Sequence, residues 1–355
     1  MLFKSWLITL INQLIENVNK KVVLVCGSGG VGKTTTAAAI AIKSAKLDRK
    51  TVVITIDPAA RLAQALGLSN MTNEPNQVPT QPNLWAMQLD MKRTFDDLVT
   101  RIASPEKANQ ILNNSFYQTL ATTFSGTQEY MAMEKLGELI DRGEWDLIVV
   151  DTPPSRSALD FLDAPARLSL FLNGKLARFL MNSGRSGITK ILSAGFSIFA
   201  TTVRKILGNQ VLQDASKFIA LFDDVFGGFQ QRATKTYQVL KDPQSAFIVV
   251  ATPESAALKE ADFFLERLTD DGMPIVGLIV NRCARKPAAI SIRESEVLLE
   301  NTKETNARTI LNLHIANVRT YRQQQLLLKE RKIDLAVEES SEDLSDPQML
   351  ANLLS

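Results

Sequence analysis

The sequence predicts an α/β fold, a twisted and mostly parallel β-sheet flanked by helices. Three observations carry that expectation. Apolar runs of strand length, at residues 21–26 (KVVLVC), 51–56 (TVVITI), 246–251 (AFIVVA) and 275–280 (IVGLIV), alternate with stretches at helical spacing, and such alternation implies parallel pairing. A glycine-rich turn, Gly27-Ser28-Gly29-Gly30-Val31-Gly32-Lys33-Thr34, joins the first run to an alanine-rich stretch at 34–45. Another apolar run, 146–150, feeds directly into Asp151.

The glycine-rich turn organises the rest. It fits G-x-x-x-x-G-K-[ST], the phosphate-binding P-loop, with the strand before it and the helix after it that the motif requires. Gly27, Gly29, Gly30 and Gly32 let backbone N–H groups close around phosphate oxygens, and the N-terminus of the following helix adds partial positive charge. In this arrangement Lys33 reaches the β- and γ-phosphates of ATP and Thr34 Oγ1 sits on Mg²⁺. The expected nucleotide contacts are Gly27, Ser28, Gly29, Gly30, Val31, Gly32, Lys33, Thr34 and Thr35.

Length and composition bound the remainder. A chain of 355 residues with 45% apolar content can bury a full core. A net charge of +2 argues for neither nucleic acid nor an acidic substrate, and no basic cluster interleaved with aromatics suggests nucleic acid either. Two cysteines, Cys26 and Cys283, form no CxxC, which fits a reducing cytosol and excludes a cysteine zinc cluster within one chain. The single histidine, His314, reads as a satisfied helix residue rather than a catalyst or ligand.

In chain order, residues 1–20 read as an amphipathic helix packed on the domain, with Leu7, Leu10, Ile11, Leu14, Ile15 and Val18 at helical spacing. The stretch resembles a signal peptide at first sight, but Asn12, Gln13 and Glu16 interrupt it and no small-residue cleavage site follows before the first strand, so a packed helix is the expectation. After the second strand come Asp57-Pro58 and a short helix at 59–66 opened by the proline. Residues 70–83, rich in Pro and Asn, form a loop. A strand at 84–89 and helices at 91–103, 107–112 and 128–142 follow. Asp151, ending its apolar strand downstream of the P-loop, fits the Walker B pattern, a carboxylate that holds Mg²⁺ directly or through water. The other reading of such an aspartate is a cap of the next turn.

Residues 163–241 are expected to form an α-helical subdomain inserted into a core made of 21–162 and 242–355. Within it, 164–213 holds seven Lys or Arg and no Asp or Glu among clustered apolar residues. Two readings remain for that stretch, helices packed on one another or an apolar partner surface that includes Phe179, Met181, Phe196 and Phe199. The apolar run at 191–203 falls short of the roughly 18 residues of a membrane span. A helix then follows the strand at 246–251 and extends to Leu268, a long polar-faced helix covers 306–332, a final strand covers 332–337, and Asp346-Pro347 opens a short helix in an acidic tail.

The motifs at 27–36 (GSGGVGKTTT), 55–67 (TIDPAARLAQALG), 151–165 (DTPPSRSALDFLDAP), 251–257 (ATPESAA) and 279–281 (IVN) resemble, in content and order, the arsenite-pump and tail-anchored-protein-targeting ATPases. This is the deviant-Walker-A (SIMIBI) branch of P-loop NTPases, with MinD and ParA as cousins. The resemblance implies an ATP-hydrolysing switch in which Lys33, Asp57 and Asp151 are catalytic. Asp57 matches the aspartate that places the attacking water, Asp151 opens the segment that senses γ-phosphate, and Asn281 matches the adenine-contacting asparagine. It also implies a homodimer, since the chain has one P-loop, and a hydrophobic or membrane-protein client.

Three departures accompany the resemblance. The family's signature lysine is Ser28 here; Arg61 and Arg156, both beside the switch motifs, are candidates for the replacement charge, and the other reading of each is a surface arginine. The CxxC of the zinc clamp is absent, and two cysteines cannot make the arsenite cluster. The expectation is a cytoplasmic ATPase, peripheral at most to a membrane. Two alternatives stand beside it: a nucleotide-binding scaffold with negligible turnover, and a MinD- or ParA-like positioning ATPase, against which the acidic tail speaks.

Overall fold

The computed structural model describes residues 12–115, 117–118, 127–153, 217–218, 221, 228, 231–329 and 331–339. They fall into two compact units, one formed by residues up to 88, 144–158 and from 240 onward, the other by 89–143 and 159–239. The surface proposed around Phe179, Met181, Phe196 and Phe199, Arg156, and the tail helix at 346 lie outside the described residues.

The first unit contains an eight-stranded sheet. Its strands are β1 (Val22–Gly27), β2 (Thr51–Thr55), β3 (Asn76–Gln77), β4 (Leu84–Gln88), β5 (Leu147–Asp151), β6 (Ser245–Ala251), β7 (Ile275–Cys283) and β8 (Leu335–Glu338), in the spatial order β3-β4-β2-β5-β1-β6-β7-β8. Only the two-residue edge strand β3 runs antiparallel; every other pairing is parallel. β1, β2, β5 and β6 are buried along their whole length, which is why they read as unbroken apolar runs rather than as alternating ones. The fold is thus the expected mostly parallel α/β sheet flanked by helices.

Helices of this unit cover the sheet. A turn at 12–16, α1, buries Leu14 and Ile15 against the core of the unit. Val18 does not join them: the helix has ended, and the side chain is 68% exposed. α2 (Lys33–Lys46) is buried along most of its alanine-rich length. α3 (Arg61–Ala65) is shorter than expected at its start, because Asp57 Oδ1 accepts from the Ala59 amide at 2.9 Å and holds residues 57–59 in a turn.

The second unit holds α4 (Met91–Ile102), α5 (Pro105–Leu112), α6 (Thr127–Arg142) and most of α7 (231–241). Asp90 caps α4 by accepting from the Arg93 amide, and Ser104 caps α5 with Pro105 at its first position, two residues before the expected start. Glu134 of α6, almost fully buried, pairs with Arg101 of α4 and Arg232 of α7 at 3.1 and 2.8 Å.

Returning to the first unit, α8 (Ser255–Asp270) lies between β6 and β7, and α9 (Ile292–Asn301) and α10 (Thr305–Leu328) pack as a pair after β7. α9 has no counterpart in the apolar periodicity; a capping box, Ser291 with Glu294, starts it. His314, on α10, has Nε2 3.0 Å from the Ile290 carbonyl oxygen. No helix among the described residues is long and apolar enough to cross a membrane.

Candidate nucleotide site

The site is built at the carboxyl edge of the parallel strands. β1 ends at Gly27, whose φ of +148° and position against β6 leave no room for a side chain: a Cβ there would lie 2.1 Å from the Val250 carbonyl oxygen. Ser28, Gly29 and Gly30 follow, partly or fully exposed, and Val31 turns back into the core. Gly32, at φ +99°, precedes α2 in a left-handed conformation. No side chain caps α2 and no acidic residue occupies its first turn, so its amino end keeps the partial positive charge an anion needs.

Lys33 is buried and folds back over this loop, where Nζ donates to the Ser28 carbonyl at 2.7 Å. Burial holds its pKa below the usual lysine range, and the nearby Asp151 carboxylate partly opposes that shift. Thr34 and Thr35 are half-buried at the head of α2, and Thr36 Oγ1 donates to the Gly32 carbonyl at 2.9 Å.

Asp151 is the centre of the polar network. Its Oδ2 accepts from Thr34 Oγ1 at 2.8 Å and from Thr55 Oγ1 at 2.9 Å. Thr55 faces Asp151 because β2 and β5 pair in register there. Desolvation pushes the Asp151 carboxyl up to about 6, opposed by the two threonine hydroxyls and by Lys33. The other oxygen, Oδ1, is buried with no hydrogen-bond partner. A fully enclosed carboxylate oxygen left unpaired beside a threonine hydroxyl fits a hard divalent cation that takes oxygen ligands.

Asp57 lies two residues beyond Thr55, and its amide donates to Thr55 Oγ1 at 3.2 Å. Its Oδ1 accepts from Ala59, and its Oδ2 faces Arg61 Nη1 at 3.2 Å. Asn281 comes from the far side of the loop, on β7. Its Nδ2 donates to the Val31 carbonyl at 2.9 Å, and its Oδ1 accepts from the Arg282 amide at 2.9 Å. The amide nitrogen stands over Gly32 so closely that a Cβ there would meet it at 2.2 Å.

The structure therefore brings Lys33, Thr34, Asp151, Asp57 and Asn281 to one edge of the sheet. It adds Thr55, which opens the 55–67 motif without a role read from the sequence, and Thr152, whose Oγ1 donates to the Val25 carbonyl at 2.8 Å and ties β5 to β1 just past Asp151. Cys26 is buried behind the loop with its thiol pushed up to about 12 by desolvation, a packing residue rather than a nucleophile.

The sequence that builds this site has counterparts among known proteins. The family model described as "Anion-transporting ATPase" matches residues 20–309. The chain belongs to the anion-transporting ATPase family. It is accordingly an ATPase. It is 27% identical to "ATPase get3" of Schizosaccharomyces pombe over 281 residues, 78% of either chain. It is 26% identical to an "ATPase ASNA1 homolog" of Plasmodium berghei, over 86% of this chain and 74% of the relative. A third, an "ATPase ASNA1 homolog" of Dictyostelium discoideum, is 28% identical over 77% of this chain and 75% of its own length.

Proposed function

We propose that this ATPase binds Mg·ATP on the loop from Gly27 to Thr35 and hydrolyses the terminal phosphoanhydride, with Lys33, Asp57 and Asp151 as the catalytic side chains. The observation that carries this reading is the Asp151 carboxylate, one oxygen held by Thr34 and Thr55 and the other buried without a partner. Thr34 Oγ1 and Asp151 Oδ1, directly or through water, would hold Mg²⁺, which when bound neutralises charge on the β- and γ-phosphate oxygens.

Lys33 has a simple task in this scheme. Its ammonium leaves the Ser28 carbonyl, a neutral partner, for phosphate oxygens, a charged one. Asp57 positions the attacking water and takes one of its protons. The water oxygen bonds to the γ-phosphorus, the bond to the bridging oxygen breaks with its electron pair leaving on ADP, and the proton passes from Asp57 to phosphate. Asn281, whose Nδ2 donates to the Val31 carbonyl, would exchange that carbonyl for the adenine base and meet it through both edges of its amide, as the motif resemblance implies.

The wider cycle is a rearrangement of a homodimer that handles a hydrophobic or membrane-protein client, as the motif resemblance and the single P-loop support. The two free buried cysteines suit a reducing cytoplasm and offer no zinc clamp.

The test is direct. Lys33→Ala should abolish tight Mg·ATP binding. Asp57→Asn should keep binding and lose turnover by about 100-fold or more; equal loss of both makes Asp57 structural. Phosphate release by the parent chain no higher than that of Lys33→Ala would reduce the site to nucleotide binding alone. The mass of the Asp57→Asn protein with and without ATP reads the dimer, and retention of a hydrophobic peptide by Phe196→Ser/Phe199→Ser reads the client surface.

A further inference from the structure

The second position of the loop is Ser28, so residues 27–35 contain one cation, Lys33. A triphosphate needs more positive charge than Lys33 and one Mg²⁺ to neutralise the γ-phosphate as its bond to ADP breaks. The candidate beside the loop is Arg61. It stands at the start of α3, four residues after Asp57, with Nη1 3.2 Å from Asp57 Oδ2 and its side chain 61% exposed. Its partner Asp57 is tied to the loop through the network already described: the Asp57 amide donates to Thr55 Oγ1, and Thr55 and Thr34 share Asp151 Oδ2.

Two features make this contact one that can be exchanged. An exposed i,i+4 ion pair contributes little free energy, so a ligand with several negative charges outcompetes a single carboxylate. The Asp57 backbone does not depend on Arg61 either, because the Asp57 amide is anchored to Thr55 Oγ1 and Oδ1 to the Ala59 amide. If Arg61 departs, the turn keeps its shape and Oδ2 becomes available.

We infer that Arg61 is a γ-phosphate ligand that exchanges partners within one chain: it neutralises Asp57 when the loop carries no triphosphate, and moves to the γ-phosphate when ATP arrives. The move places a planar cation on the phosphate and frees the Asp57 oxygen that accepts the water proton. The same side chain thus ties release of the base to presence of the terminal phosphate, and the chain supplies in cis a charge that its loop lacks. No bond is made or broken in the exchange; only ionic partners change. The inference rests on the proposed nucleotide site, and its test separates the two.

The experiment compares parent, Arg61→Ala, Arg61→Gln and Arg61→Lys chains in binding of ADP and of the slowly hydrolysed analogue ATPγS with Mg²⁺, and in steady-state hydrolysis. Arg61→Ala and Arg61→Gln should leave ADP affinity within about twofold, weaken ATPγS about tenfold and lower kcat about 100-fold, with Arg61→Lys recovering a large part of both. Arg61 is exposed, so these variants fold. Equal weakening of ADP and ATPγS, or no weakening of either, overturns the exchange, as does a kcat that rises when Arg61 is removed, which would make the arginine a latch only. If the parent chain binds neither nucleotide, the site itself falls and the exchange falls with it.

Discussion

Gly32 and Asn281 are separated by most of the chain, and a double-mutant cycle reads whether they meet as described. Substituting Gly32 with Ala has three costs. Alanine at φ +99° is strained by about 1–2 kcal/mol. Its Cβ would lie 2.2 Å from Asn281 Nδ2, so that amide must swing away and lose its bond to the Val31 carbonyl, about 1 kcal/mol. The displaced side chain leaves its rotamer well for about 1 kcal/mol more. The total is about 3–4 kcal/mol. Asn281→Ala alone loses two half-exposed hydrogen bonds, about 1–2 kcal/mol. Beyond the Asn281 amide group, no atom from outside the loop's own neighbouring residues lies within 4 Å of where a methyl at Gly32 would stand, so removing that group clears the space. The double variant should then cost about 3 kcal/mol where the sum of the singles is about 5, a coupling of about 2 kcal/mol. Urea unfolding without nucleotide, followed by tryptophan fluorescence to which Trp85 and Trp145 contribute, measures all four chains, and unchanged m-values license the comparison. A double variant additive to within about 0.5 kcal/mol would refute the contact.

Three further outcomes follow from the site. Asp151→Asn should weaken Mg·ATP by at least about tenfold while leaving ATP binding in EDTA little changed, as read by titration with a fluorescent ATP analogue. Thr55→Val, almost isosteric, should cost about 1–3 kcal/mol in urea unfolding because a carboxylate that is 1% exposed loses one of its two hydroxyl donors, and Thr55→Ser should restore most of it. The Cys26 thiol is raised from 9.0 to about 12, so its contribution to stability is complete below pH 9 and is lost as pH climbs toward 12. At pH 8 the native thiol should resist alkylation, and mass spectrometry should find Cys26 modified only after unfolding.

What can be read from the sequence is what is written locally. The P-loop, the aspartate at the end of β5 and the buried strands are contiguous patterns, and each lies where its pattern puts it. Arg61 is legible as a charge beside the Asp57 motif, but its contact with Asp57 is not, because residues 57–60 form a turn rather than the helix that would bring positions i and i+4 together. Thr55 is not, because its partner Asp151 is 96 residues away and the two meet only through the β2–β5 register. A threonine closing the strand before Asp57-Pro58 is the available signal. The start of α3 departs from its expected place because Pro58 reads as a first helical residue, whereas the Asp57 side chain bonds the Ala59 amide and delays the helix. α9 escapes notice for lack of clear apolar periodicity, although Ser291 and Glu294 spell a capping box.

The order of the sheet explains why so few residues can act together. β1, β5 and β2 are neighbours and parallel, so the P-loop, Asp151 and the Asp57 turn all leave the same edge. One oxygen of Asp151 touches the segment after β1 through Thr34 and the end of β2 through Thr55, and Thr55 in turn holds the Asp57 amide. On the proposed reading, Thr34 Oγ1 would turn to Mg²⁺ and leave Oδ2 with Thr55 as its remaining hydroxyl donor. The bond from β5 to β2 would then persist as the loop fills, since the Thr55 hydroxyl does not depend on Thr34. The Asp57 turn would stay anchored through Thr55 with triphosphate present, which on this reading is when its carboxylate aims at a water. A Thr55→Val chain should accordingly lose more in turnover than in nucleotide affinity, and equal losses in the two would show that Thr55 only supports the fold.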